Sequence, residues 1–171
     1  MIATTYYSYI DSPLGQLLVQ GDGQFVTGLY MLQHKRRPEE SWQESDAPFL
    51  AARKQLAEYF AGQRRKFAVP LKLAGTPFQR RVWRELTRIP FGKTITYAEL
   101  AQRIGRPKAS RAVGHANGHN PISILVPCHR VIGSGGKLTG YAGGVEAKQW
   151  LLELECAALA DECGRSRPYA A

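Results

Sequence analysis

The first third of the chain alternates short apolar runs with turn chemistry. "TTYYSYI", "QLLVQ" and "FVTGLYML" are rich in aromatic and β-branched residues, and "DSPLG" and "GDGQ" separate them. Such runs, bounded by Gly, Pro, Asp and Ser, predict a β-meander. "HKRRPEESWQESDAP" is polar throughout and reads as loop. A helix is expected from Pro48 to Ala61, with Gly62 as its stop. "RRKFAVPLKLAG" reads as a strand and a linker, which places a domain boundary at Leu73–Gly75.

Beyond that boundary the apolar period becomes helical. Thr76, Pro77 and Gln79 form a cap, a first helical position and a capping box, and Phe78, Val82, Leu86 and Ile89 follow at helical spacing. Pro90 ends that helix. Thr96 and Glu99 repeat the device, and Tyr97, Leu100, Ala101 and Ile104 make one face. Gly105-Arg106-Pro107 is a breaker. A second short helix is expected from Lys108 to Asn117, with Ala109, Ala112, Val113 and Ala116 on its apolar side. Two short helices across a Gly-containing turn predict a helix-turn-helix. "GSGGKLTGYAGG" reads as a glycine-rich hairpin or wing, and "VEAKQWLLELE" as a closing amphipathic helix. The tail "DECGRSRPYAA" is expected to fray.

Composition narrows the function. The 171 residues suffice for one domain or two small ones. Charges interrupt every apolar run well short of a membrane span, and the N-terminus carries no secretory pattern, so a cytoplasmic protein without membrane contact is expected. Three cysteines, Cys128, Cys156 and Cys163, are not a disulfide framework and suggest free thiols. The net charge of +9 is uneven. Within residues 76–138 only Glu85 and Glu99 oppose eleven Lys and Arg. A one-sided basic field points to a polyanion, most simply nucleic acid, or to a solvated surface.

The second short helix separates these readings. A helix that reads bases in the major groove presents Asn, Gln, Arg or Ser. "KASRAVGHANG" presents mostly Ala, Val and Gly beside Lys108, Ser110 and Arg111. Small residues let a backbone come close, which suits the minor groove of DNA. They also suit close packing in a core. Arg111, projecting from such a surface, has the reach to wedge into a base stack.

"ILVPCHRVIG", residues 124–133, places Cys128 beside His129 in what reads as a short strand running into a tight loop. Cys128 fits a packed core or a nucleophile. In a strand, neighbouring side chains point to opposite faces, so a bend or a water must connect thiol and imidazole.

At this point the chain resembles a known family. "VPCHRVIG", with "GRPKASRAVGHANGHNPISI", "KLTGYAGG" and "KQWLLELE", is similar to the O6-alkylguanine-DNA alkyltransferases of the bacterial single-chain type. The likeness is dense from Gly75 to Glu155 and weaker but collinear over residues 1–74. It implies an α+β protein. An RNase H-like α/β domain would occupy 1–74, a helix-turn-helix, winged-helix-like domain of DNA binding and alkyl transfer 75–157, and a flexible tail 158–171. It implies direct, stoichiometric repair of O6-alkylguanine, with O4-alkylthymine as a second candidate substrate.

The resemblance also implies roles. Cys128 would be the nucleophile, His129 its water-linked base, and Glu155 the carboxylate that orients the imidazole. Tyr97 would crowd a phosphate and donate its hydroxyl to guanine N3. Arg111 would fill the stack vacated by a flipped base, with Ser110, Ala112, Lys108 and Gly114 along the DNA. Carbonyls of Cys128 and Val131 would read the base amino group, the Ala142 N–H its O6, and Tyr141 would line the pocket. Asn120 would tie the second helix to the active-site strand. Ala142 stands where some relatives have Ser, which keeps the backbone donor. Asn117 and Gly118 replace bulkier or basic residues of some relatives, which predicts weaker DNA contacts late in that helix. The N-terminal part lacks the cysteines that hold a structural zinc in some relatives, so no metal is expected there.

A thioether resists hydrolysis, so one turnover and no cofactor are expected, with the alkyl group crowding the site. The expected partner is double-stranded DNA, bound through the minor groove by a monomer, and the sequence leaves open whether copies cluster along it. Rival readings are a binder of alkylated DNA without chemistry, a cysteine hydrolase, and a metal site from His115, His119, Cys128 and His129.

Overall fold

The structure is a computed structural model, and it describes residues 4–31 and 36–163. The chain divides into two units, residues 1–74 with 121–125, and residues 75–120 with 126–171.

In the first unit the three apolar runs form β1 (Tyr6–Ile10), β2 (Leu17–Gly21) and β3 (Val26–Met31), paired antiparallel. Leu17, Leu18 and Val19 are all buried, so both faces of β2 are covered, as its unbroken apolar run requires. A fourth strand, β4 (Gln43–Glu44), lies parallel to β1 and completes the order β3-β2-β1-β4. It falls inside the stretch expected to be loop. Its side chains are exposed, and backbone bonds to β1 alone define it, so no periodicity marks it. The helix α1 (Leu50–Phe60) follows a 3₁₀ turn at Ala47–Phe49; the turn packs Phe49 and the helix packs Leu56 and Tyr59 into the core.

The strand expected in "RRKFAVPLKLAG" does not form. Only Leu71 bridges to β3, opposite Val26. Pro70 has no N–H to give a ladder, and its carbonyl accepts from Val26 at 2.9 Å. Ile122 makes a second isolated bridge, with Leu29. Residues 121–125 therefore belong with the first unit, where the sequence placed them in the second.

In the second unit both capping boxes close. Thr76 and Gln79 start α2 (Pro77–Leu86), and Thr96 and Glu99 start α3 (Tyr97–Arg103). The next helix, α4 (Ser110–Gly118), begins two residues later than expected, which leaves Lys108 in the preceding turn. Its buried residues are Val113, Ala116 and Asn117, while Ala112 is exposed. The indole of the buried Trp83 on α2 donates to the Ala116 carbonyl at 2.8 Å and pins α4 in place.

The glycine-rich segment is not a hairpin. Gly135 and Gly136 adopt φ of 70° and 80°, and the chain makes a 3₁₀ turn at Ser134–Gly136 instead of a ladder. The only strand here among the described residues is β6 (Val131–Ile132), parallel to β5 (Ile95–Thr96). Finally, α5 runs from Val145 to Cys163, six residues into the expected tail. Residues 164–171 lie outside the described ones. No helix of the described residues is long and apolar enough to cross a membrane.

Candidate active site

Two local features build the site. The pairing of Ile95 with Val131 sets the start of α3 beside the "PCHRVI" segment. That segment is not a strand at the cysteine: Cys128–Arg130 form a 3₁₀ turn, with Arg130 N–H on the Pro127 carbonyl at 3.1 Å. Proline before the cysteine bends the chain and leaves β6 to start only at Val131.

Cys128 is 2% exposed. Burial pushes its thiol up to about 11, against the opposing effects of a hydrogen bond from Asn120 and the charge of Lys148. At neutral pH it rests as the thiol. Asn120, just beyond the end of α4, also donates to the Val126 carbonyl at 2.8 Å, and Asn117 reaches the Cys128 carbonyl at 3.4 Å. Two amides from the end of α4 thus hold the cysteine turn.

His129 and Glu155 are both fully buried, with Nε2 at 2.8 Å from Oε1. Burial alone would raise the Glu155 carboxyl. The charge and hydrogen bonds of His129 and Arg130 outweigh that and hold it down to about 2. Arg130 reaches both carboxylate oxygens at 2.9–3.2 Å, and the Gly92 N–H donates to Oε2 at 2.8 Å. An ionised carboxylate only accepts, so His129 Nε2 carries the proton and Nδ1 is the basic nitrogen. Burial, the dominant cause, lowers the imidazole despite Glu155. Position 92 favours glycine: its φ is +70°, and an added Cβ would lie 2.2 Å from a terminal methyl of Leu159.

On α5, Lys148 lies along the same side as Leu151 and Glu155. It proves fully buried, and its Nζ donates to the carbonyls of Val131 at 2.6 Å and Thr139 at 2.9 Å. Burial brings it down to about 8. Tyr97, half-buried, donates its hydroxyl to the same Thr139 carbonyl at 3.2 Å, and burial raises its pKa. Arg130 is another contributor that the sequence reading did not single out, and Asn117, named there only for DNA contacts, is instead buried against the cysteine turn. A buried Arg or Asn looks like a surface one until its partner is known.

Beside these groups opens a cleft of about 760 Å³. Tyr97 from α3, Ser110, Arg111 and Gly114 from α4, and Tyr141 and Ala142 from the glycine-rich segment line it. Lys108 and Ala112 are exposed but outside the lining. Cys128, Asn120 and Val131 are buried and do not line it either. The Tyr141 ring stands edge-on to His129, with centroids 6.5 Å apart. Among the described residues no three His, Cys, Asp or Glu side chains converge as a metal site needs. His115 and His119 stack on each other, exposed on α4, whereas Cys128 and His129 are buried.

Comparison with known proteins agrees along the chain. Residues 5–73 match the ribonuclease-like domain of 6-O-methylguanine DNA methyltransferase, and residues 77–157 match its DNA binding domain. A methylated-DNA–protein-cysteine methyltransferase of Mycobacterium bovis is 53% identical over 151 residues, covering 88% of this chain and 92% of the relative. One from Methanosarcina acetivorans is 50% identical over 152 residues, covering 88% and 97%. The crystal structure of Mycobacterium tuberculosis OGT in complex with DNA superposes with a TM-score of 0.85 at 52% identity, over 90% of this chain and 94% of that one. With both domain models matched in order and half the residues identical to such relatives, this α+β chain belongs to the 6-O-methylguanine DNA methyltransferase family.

Proposed function

We propose that this protein repairs DNA by moving the alkyl group of O6-alkylguanine onto Cys128, once per molecule. The observation that carries the reading is a buried thiol on a turn whose next residue, His129, is tied to an ionised Glu155 beside an open cleft. A thiol held at about 11 needs a base to react at neutral pH. His129 Nδ1 takes the proton through a water. The sulfur then attacks the alkyl carbon, the carbon–oxygen bond breaks, and its electron pair stays with guanine. Tyr97, kept protonated by its raised pKa, leaves Thr139 and donates to guanine N3.

The lesion must leave the duplex to reach a buried sulfur, which costs a few kcal/mol of unstacking. Arg111, exposed at the cleft, takes the vacated place, and α4 with Ser110 and Gly114 lies along the minor groove. The Cys128 and Val131 carbonyls receive the base amino group. Both already accept bonds, Val131 from Lys148 and Cys128 from the Val131 N–H and, at 3.4 Å, Asn117. The long Asn117 bond is the one that yields. Tyr141 and the Ala142 N–H complete the pocket.

Mass spectrometry of the intact protein and its peptides, after incubation with a duplex holding one O6-methylguanine, tests the reading. One methyl group confined to the Cys128 peptide, and absent in Cys128→Ser, is expected. Preferential binding of the damaged duplex with no mass change would leave a lesion binder without chemistry.

A further inference from the structure

On α4 one exposed feature has no part in alkyl transfer. His115 and His119 stack with ring centroids 4.1 Å apart and planes 31° from parallel. His119 Nδ1 lies 2.8 Å from the His115 carbonyl. A carbonyl only accepts, so Nδ1 holds a proton and Nε2 keeps the lone pair. At 3.6 residues per turn, His115 stands about 40° and His119 about 80° around the helix from Arg111. Val113, Ala116 and Asn117 are buried on the far side. The pair therefore belongs to the same exposed face as Arg111, one and two turns further on.

The end of a helix carries a partial negative charge, which disfavours a phosphate there and favours a cation. Gly118 and Asn117 supply none, and α4 contains no carboxylate. The elements packed on α4 carry the remaining charges. These are Arg80, Arg81, Arg84 and Arg88 with Glu85 around α2, and Glu99, Arg103 and the Tyr97 phenol on α3. Glu85 is ion-paired with Arg88 and Arg103, and Glu99 is bound in the Thr96 capping box. No unbalanced carboxylate among them competes with a phosphate for an imidazolium.

We propose that His115 and His119 form a proton-gated phosphate contact, which binds the DNA backbone at the C-terminal end of α4 when the pair is protonated. The inference rests on the reading of α4 as the DNA-facing helix. Histidine changes charge between pH 5 and 8. Affinity for duplex DNA then rises as pH falls, and the gain appears as one more released counterion.

The test is fluorescence anisotropy with an undamaged duplex at pH 6.0, 7.0 and 8.0, ionic strength held constant. Wild type is expected to bind about threefold to tenfold more tightly at pH 6.0 than at pH 8.0, with a salt slope steeper by about 0.9. H115Q/H119Q is expected to lose that pH dependence, and His119→Arg to hold at pH 8.0 the affinity wild type reaches only at pH 6.0. His129, Lys148 and Tyr97 are present in all three proteins, so the difference isolates the pair. Wild-type binding independent of pH, or an undiminished pH dependence in the double variant, would overturn the proposal. If wild type still methylates Cys128 at pH 8.0 in that case, only this inference fails. No methylation and no DNA binding would sink the repair reading as well.

Discussion

His129 Nε2 donates to Glu155 Oε1 at 2.8 Å with neither side chain reaching solvent, so one buried carboxylate decides which imidazole nitrogen is basic. Glu155→Gln removes the negative charge that Arg130 also needs. A loss of about 3–5 kcal/mol of stability is expected, as for breaking a buried pair, and chemical denaturation measures it. The pH dependence has a definite sign. The folded carboxyl is held at about 2, below its ordinary value of 4.5. Its contribution is present above pH 4.5 and disappears as pH falls toward 2. Wild type should lose stability over that window, and Glu155→Gln should lose less.

Kinetics test the proposed role of His129. His129→Gln should slow transfer to Cys128 by on the order of 10²- to 10⁴-fold at pH 7.5. With the base gone, thiolate forms only by direct ionisation of a thiol at about 11. The variant's rate should therefore climb about tenfold per pH unit through the alkaline range, while wild type stays flat from neutral pH down to below pH 6.5. A flat profile for the variant would remove His129 from proton transfer.

Lys148 is expected to act in the opposite sense to an ordinary salt-bridged lysine. Its folded value of about 8 lies below the ordinary 10.5, so between those values the unfolded chain binds the extra proton. Stability from this group rises with pH across that window. Thermal melts from pH 8 to 10.5 should show the rise in wild type and not in Lys148→Met. The variant should also slow transfer, since the Val131 and Thr139 carbonyls lose their common donor.

Gly92→Ala forces a side chain into a left-handed backbone and against Leu159. A cost of about 1–3 kcal/mol is expected. Because the Gly92 N–H bonds Glu155, the alkyl-transfer rate should fall together with Tm.

Methylation itself should lower Tm. The added carbon enters a site where Cys128 is 2% exposed and its thiol already bonded by Asn120, and packed interiors tolerate an extra methyl group poorly. Melting curves before and after reaction with O6-methylguanine DNA check this.

Much of this molecule is written locally in its sequence. Capping boxes at Thr76 and Thr96, breakers at Pro90 and Gly105, and the apolar runs of the meander act within a few residues, so they are legible without the fold. The motif around Cys128 was legible too, as was Glu155 by its resemblance to a family. The remainder depends on contacts between distant residues. Strand β4 exists only because the edge of β1 needs hydrogen-bond partners, and residues 121–125 join the first unit through Leu29. The wing resolves into turns because glycine supplies no side chains to pack a ladder. Lys148, Arg130 and Asn117 carry no local mark of their burial. Only the tertiary structure assigns a buried polar group its partner, because the cost of burying it and the bond that offsets that cost come from different parts of the chain.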